Sequence, residues 1–109
     1  MIRTDEVFKA LADPTRRRIL RLLNDGEMSA GELADYFQIS GPSMSHHFNI
    51  LKQADLIQAR RERQQIFYSV NTTVFQDMIA TVLDLFSGDN THNPEGEPKR
   101  ASGDRPGKA

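Results

Sequence analysis

Residues 40–57, SGPSMSHHFNILKQADLI, carry the clearest structural pattern in the chain. Ser40 is a favourable N-cap residue, and the first turn of a helix tolerates the Gly-Pro pair that follows it. We therefore predict a helix that begins here and continues to about Ala54. Three apolar residues at helical spacing would form its buried stripe: Met44, Phe48 and Leu51.

The opposite side of this helix carries short or polar side chains, comprising Pro42, Ser45, His46, Asn49 and Gln53, with Ser43 and Ile50 on one flank. His47 lies nearer the buried stripe, so we expect it to support the fold. Hydroxyl, imidazole and amide groups can hydrogen-bond base edges or phosphates in a major groove, which admits one helix. The pattern therefore favours a DNA recognition helix with contacts made by Ser43, Ser45, His46, Asn49 and Gln53.

Three further helices are predicted before the recognition helix. The first covers residues 4–12, with Thr4 as its cap. The Asp-Pro pair at residues 13–14 suits the start of a second helix. Residues 29–32, Ser-Ala-Gly-Glu, form a capping box that opens a short third helix. A short helix joined by a few residues to the recognition helix is a helix-turn-helix.

The periodicity changes from helical to alternating over residues 56–70, which predicts a β-hairpin with a polar tip. Beside a recognition helix, such a hairpin would be a wing. Its arginine cluster suits contact with the DNA backbone or minor groove, so we predict DNA contacts from Arg60, Arg61, Arg63 and Gln64. A second arginine-rich run, Arg16, Arg17, Arg18 and Arg21, could equally be a solvated helix face or a phosphate contact.

A last helix is predicted over residues 72–86, and its apolar stripe is wider than one protomer's core needs. We interpret the surplus as a dimer interface that includes Val74, Met78, Val82, Leu85 and Phe86. Residues 87–109 have no hydrophobic periodicity and are rich in Pro and Gly, so we predict a disordered tail after one domain at residues 1–86. The predicted fold is mostly α with a small β-hairpin, a winged helix-turn-helix in the order α-α-α-α-β-β-α.

Composition narrows the function classes. The chain has no cysteine and a net charge of −1, and it has no apolar run long enough to span a membrane, so we expect a cytoplasmic protein without a membrane partner. Adjacent His46 and His47 point about 100° apart on a helix and cannot easily share one ion, so no metal site is expected. No nucleophile–base pair or phosphate-binding loop is visible, so we predict neither an enzyme nor a bound cofactor.

Three segments in the expected order resemble the ArsR family of bacterial winged-helix repressors: residues 8–20, residues 43–57 and residues 66–70. The resemblance implies a homodimer built from the first and last helices, which adds Val7 and Phe8 to the interface, and an inverted-repeat operator. It also implies that Ser43, Ser45 and His46 touch DNA. Residues 71–77 are similar to the SdpR-like subgroup of small autorepressors.

Metal sensing, which the resemblance implies for many members, is not expected from these residues. In the family, a common metal site uses cysteine thiolates on the third helix. The matching residues of this chain, 32–36, contain no cysteine. The last helix, the other common site, holds no histidine. Arg63 also stands where the wing often has a glycine.

The sequence therefore predicts a sequence-specific repressor that binds an operator as a homodimer, and we expect its own promoter to be among the targets. The alternative is a protein-interaction module that uses the same fold, and specific, salt-sensitive duplex binding would separate the two. The inducer is left open between a protein, a small molecule and none at all.

Overall fold

The computed structural model describes residues 3–87, and it contains five helices and three short strands within that range. The elements are α1 (Thr4–Leu11), α2 (Pro14–Leu23), β1 (Met28–Ser29), α3 (Ala30–Ala34), α4 (Gly41–Gln53), β2 (Ile57–Glu62), β3 (Gln65–Val70) and α5 (Thr72–Ser87). The predicted order of helices and hairpin is confirmed. The predicted tail lies outside the described residues, apart from Ser87, which is the last residue of α5.

Side-chain caps at Asp13, Ser29 and Ser40 fix where α2, α3 and α4 begin, as predicted. Asp13 Oδ2 accepts a hydrogen bond from the backbone N–H of Arg16 at 3.0 Å, at the start of α2. Ser29 and Glu32 form a reciprocal capping box at the start of α3. The expected cap of α1 was wrong: Thr4 lies inside that helix, and the N-cap position is held by Arg3 without a side-chain hydrogen bond.

The hairpin belongs to a three-stranded antiparallel sheet with the strand order β1-β3-β2. The sequence did not predict β1, which has only two residues and exists by pairing Met28 with Tyr68 and Ser29 with Phe67. A strand this short has no periodicity of its own to detect. It ends at Ser29, the residue that caps α3, and so it ties the helix-turn-helix to the sheet.

The core joins the helices to the base of the hairpin. Ile19, Leu33, Leu51 and Leu56 are fully buried. The rings of Phe48 and Tyr68 stack with their centroids 4.5 Å apart, so α4 packs directly on β3. Because α1 and α2 also pack against α4, its apolar stripe is enclosed and its polar side faces solvent.

The end of α4 is a Schellman motif that turns the chain into β2. The backbone N–H of Leu56 donates to Leu51 O at 3.0 Å, and that of Asp55 donates to Lys52 O at 2.9 Å. Asp55 has a φ of 60°, a conformation usually taken by glycine at this position. The buried side chain of Leu56 then anchors the chain at the start of the sheet.

The chain divides into two compact units, residues 1–78 and 79–109. The first contains all the core residues named above. Of the second, the structure describes residues 79–87, the C-terminal part of α5, where Ile79, Leu83, Leu85 and Phe86 are exposed. Within residues 3–87, no helix is long and apolar enough to cross a membrane.

Candidate nucleic-acid interface

The two faces of α4 are arranged as the sequence predicts. Met44, Phe48 and Leu51 are buried, while an exposed polar face consists of Ser43, Ser45, His46, Asn49 and Gln53. We call these five residues the polar face of α4. The burial of the stripe fixes the rotation of the helix, so all five side chains point away from the core at once.

The start of α4 is held by two serines. Ser40 Oγ accepts from the backbone N–H of Ser43 at 3.2 Å and donates to Ser43 Oγ at 3.0 Å. The exposed first turn of this 13-residue helix carries the positive end of the helix dipole, although Pro42 has no N–H and the N–H of Ser43 is already bound by Ser40. An anion such as a DNA phosphate is favoured at such a helix start.

His47 supports α4 from the inside, as predicted. Its Nδ1 lies 3.1 Å from Nη1 of Arg16 and 3.9 Å from Oδ2 of Asp13. Because an arginine can only donate, Nδ1 must accept, which places the proton of the neutral ring on Nε2. Burial lowers the pKa of His47, Arg16 and His46 lower it further, and the charge of Asp13 partly opposes them.

Arg16 is the residue on which this cluster depends. Its side chain is only 8% exposed, and its Nε and Nη2 donate to Ala10 O at 2.9 Å and Lys9 O at 3.0 Å. It therefore satisfies the last carbonyls of α1 while also holding His47 on α4. The open question about this arginine is settled: it is a structural residue of the fold, and its guanidinium is used inside the protein.

Arg17 and Arg18 of the α2 run also contact other parts of the protein. Arg17 Nη1 donates to Leu11 O at 2.9 Å, and the Cζ atom of Arg18 lies 4.9 Å from the ring centroid of Phe37. Arg18 therefore makes a cation–π contact with Phe37, which lies in the turn between α3 and α4. Arg21 alone of the four makes no side-chain hydrogen bond, ion pair or ring contact with residues 3–87.

The wing, defined as β2, β3 and the two-residue loop between them, carries the second arginine cluster. Glu62 pairs with Gln65, so Arg63 and Gln64 form the loop. Arg63 has a φ of 58°, and a positive φ at the first loop position alone is the pattern of a type II′ hairpin turn, where glycine is usual. The arginine thus adopts the conformation that glycine would have provided.

The three wing arginines have different surroundings. Arg61 and Arg63 are exposed and make no side-chain hydrogen bond or ion pair with any residue between 3 and 87. Arg60 instead donates to both carboxylate oxygens of Glu27, at 3.0 and 2.7 Å, and to Glu62 at 2.7 Å, while it lies 4.8 Å over the ring of Phe67. Its pKa is raised by these two carboxylates, and the pKa of Glu27 is lowered chiefly by the hydrogen bond from Arg60.

Sequence reasoning missed Glu27 and the role of Arg16. Glu27 precedes β1 and reaches Arg60 across the middle strand β3, so its partner could be found only once the strand order was known. For Arg16 a signal existed: it lies at the N3 position after the Asp13-Pro14 helix start, on the side of α2 that also carries Ile19, Leu20 and Leu23.

The residues predicted for a dimer interface fall into two groups. Val7, Val74 and Met78 are buried in the core of their own unit, so the surface open to a second copy is narrower than the sequence predicts. Phe8 on α1 is 44% exposed, and on α5 Val82 is half-buried while Leu85 and Phe86 are exposed. Ile79 and Leu83, which were not predicted, are exposed as well.

Comparison with known proteins identifies the family. A family model described as bacterial regulatory protein, arsR family, matches residues 13–59. The chain is 56% identical over 87 residues to the transcriptional repressor SdpR of Bacillus subtilis, which covers 79% of this chain and 97% of that protein. The chain belongs to the ArsR family. These relatives support a function as a DNA-binding transcriptional repressor and not as an enzyme, which agrees with the prediction from the sequence.

More distant relatives agree on the fold. The chain is 40% identical over 81 residues to the HTH-type transcriptional regulator MJ1325 of Methanocaldococcus jannaschii, which covers 73% of this chain and 91% of that protein. The crystal structure of an ArsR family transcriptional regulator matches with a TM-score of 0.72 at 28% identity, over 76% of this chain and 91% of the other. HlyU from Vibrio cholerae matches with a TM-score of 0.62 at 32% identity, over 76% of this chain and 90% of that chain.

Among residues 3–87 there is no group of three or more His, Asp or Glu side chains that could hold a metal ion.

Proposed function

We propose that this protein represses transcription as a homodimer that binds an inverted-repeat operator with α4 in the major groove and the wing on the adjacent backbone. The observation that carries the proposal is the polar face of α4, which has no acidic side chain and is exposed as a unit. The wing extends this surface with Arg61 and Arg63, whose guanidinium groups are not used elsewhere in residues 3–87. Neutral donors and acceptors beside unpaired positive charge suit base and phosphate contacts together.

The residues have different proposed roles. His46 and Asn49 would contact base edges, since an Asn amide can bond the N6 and N7 atoms of adenine in a bidentate manner. Ser43, Ser45 and Gln53 would contact phosphates or bases on either side of them. Arg61, Arg63 and Gln64 would contact phosphates or the minor groove. Arg60, which the sequence also predicts as a DNA contact, would act by holding the wing in place.

A dimer is proposed from the exposed apolar residues of α1 and α5. On α5, Ile79, Leu83 and Phe86 lie at i, i+4 and i+7 and so share one side of the helix. Exposed apolar stripes of this kind mark contacts with a partner. Two copies would then place their recognition helices about 34–36 Å apart, one turn of DNA, so the operator would be an inverted repeat.

Repression would follow from occupancy of a promoter in the cytoplasm, where a bound dimer excludes RNA polymerase. The likeness of residues 71–77 to small autorepressors supports its own promoter as one target. An inducer, whether a protein or a small molecule, would act by favouring a dimer with the wrong helix spacing.

The test is a gel-shift titration with the DNA upstream of the protein's own gene, at two salt concentrations and with excess nonspecific competitor. A discrete band that survives the competitor supports the repressor and its autoregulation. Salt-labile smearing alone, repeated across the other promoters of the same genome, contradicts the proposal and favours the protein-interaction module.

The variant His46→Ala sharpens this test. We expect it to weaken specific operator binding by roughly tenfold, the effect of about 1–3 kcal/mol for one base contact. Thr73→Ala, an exposed polar position in the first turn of α5 and away from the side that carries Ile79, Leu83 and Phe86, is the matched control, and sedimentation checks that both variants keep the wild-type oligomeric state. Unchanged operator affinity for His46→Ala would remove this residue from the interface.

A further inference from the structure

A cleft of about 490 Å³ lies on the side of the first unit formed by the end of α1, α2, the end of β3 and the first turn of α5. Its apolar walls are Leu11, Leu20, Val70 and Phe75. The polar face of α4 and the loop of the wing take no part in it. Val70 pairs with Ile57 at the end of the hairpin opposite Arg63, so the cleft uses none of the residues proposed to contact DNA.

Two arginines stand at this cleft, and no carboxylate lines it. Arg17 and Arg21 are one helical turn apart on α2, so their side chains are neighbours. Arg17 uses Nη1 to hold Leu11 O, which leaves its other donors open, and Arg21 has no side-chain partner among residues 3–87. Two guanidinium groups beside an apolar hollow create a positive potential there without any internal counter-ion.

We propose that this cleft binds a small organic anion with an apolar body, of the class of a medium-chain carboxylate. The planar guanidinium fork matches a carboxylate in a bidentate manner, and the four apolar walls would cover the hydrocarbon part. The volume falls within the 300–1,000 Å³ typical of small-molecule sites, which are mostly apolar with a few placed polar groups.

The experiment titrates the full chain, without DNA, with sodium octanoate by calorimetry and by amide NMR. Octylamine and octan-1-ol, which share the apolar chain, are the matched ligands. We expect octanoate to bind saturably at one site per chain, with shifts centred on Leu20, Val70 and Phe75. The cationic and neutral analogues should bind at least tenfold more weakly, because they lose the charge-assisted hydrogen bonds.

Two variants locate the site. Arg21→Gln should weaken octanoate binding about tenfold, whereas Arg61→Gln, which removes the same charge from the distant wing, should leave it unchanged. Equal affinities for octanoate and octylamine, or equal effects of the two variants, would overturn the proposal. So would a shift of the monomer–dimer equilibrium in Arg21→Gln with octanoate binding intact, because the cleft would then be a subunit contact. The comparison of octanoate with octylamine and octan-1-ol uses only the wild-type protein, so it stands even if a variant fails to fold. None of these measurements uses operator DNA, so they are independent of the proposed DNA binding.

Discussion

Residues 16–18 of α2 and the wing cluster at residues 60–63 are both rich in arginine, yet the structure uses them in opposite ways. Each of these three α2 arginines contacts a carbonyl, an imidazole or a ring of the protein. In the wing, Arg61 and Arg63 remain without a side-chain partner in residues 3–87. Only Arg60 follows the α2 pattern, between two carboxylates and over Phe67.

The comparison shows that available acceptors, and not the number of charges, decide what an arginine does. A buried guanidinium must have its donors satisfied, because an unpaired buried charge is strongly destabilising. An exposed arginine contributes little to folding, so it is free to neutralise a phosphate. The α2 run should therefore control stability and the wing should control DNA affinity. The four predictions below test this division, from the largest effect to the smallest.

Replacing Arg16 with alanine should have the largest effect on folding. The change removes the donors to Ala10 O and Lys9 O and leaves Nδ1 of His47 without its partner. We expect a loss of about 3 kcal/mol in the free energy of unfolding, measured by urea titration, because unsatisfied buried groups carry a penalty of about 1–3 kcal/mol each.

Arg18→Ala is the control for this measurement. It removes an arginine from the same helix but only a cation–π contact with Phe37, for which about 0.5–1 kcal/mol is expected at an exposed site. Equal losses in the two variants would show that the hydrogen bonds of Arg16 have no special role.

Replacing Arg61 with alanine should lower affinity for every DNA sequence and leave stability unchanged. If Arg61 neutralises one phosphate, the slope of log affinity against log salt becomes shallower by about one. Arg60→Ala should leave that slope nearly unchanged, because Glu27 and Glu62 already neutralise its charge. A slope change in Arg60→Ala as large as that in Arg61→Ala would mean that the carboxylates release Arg60 on DNA.

The same comparison explains how far the sequence could go. The helix starts at Asp13, Ser29 and Ser40 and the two faces of α4 were predictable, because caps and periodicity act within a few residues. The role of Arg60 was not predictable, because its partner Glu27 lies 33 residues away in the sequence. The two side chains come into contact only through the order of the strands. The bond between Arg16 and His47 spans 31 residues and depends in the same way on how α2 packs on α4.

Arg63→Gly should stabilise the wing. Arg63 has a φ of 58°, which glycine adopts without steric penalty and other residues hold at a penalty of about 1–3 kcal/mol. We expect a gain of roughly 1 kcal/mol in the free energy of unfolding relative to Arg63→Ala, which removes the same charge but keeps the strain. Equal stability of the two variants would show that the loop relaxes around any side chain.

His47 should give the smallest effect, a loss of stability as the pH falls from 7.5 to 5.5. Its pKa in the folded protein is below the ordinary value of 6.5, so the unfolded chain binds more protons in this range and stability rises with pH. The stabilisation that neutral His47 gives the folded protein is complete above pH 6.5 and is lost as the pH falls below that value. Asp13 titrates lower, since its own pKa is below 3.8: burial raises it, but the backbone N–H of Arg16 and the nearby positive charges lower it more.

The control for this pH dependence is His47→Gln, whose amide oxygen can still accept from Arg16 but cannot be protonated in this range. The variant should show a shallower decline of unfolding free energy between pH 7.5 and 5.5. Identical pH profiles would mean that Arg16 and the protonated ring separate without loss of packing. In that case α4 would be held by its buried stripe alone, and Arg16 would stabilise the end of α1 but not α4.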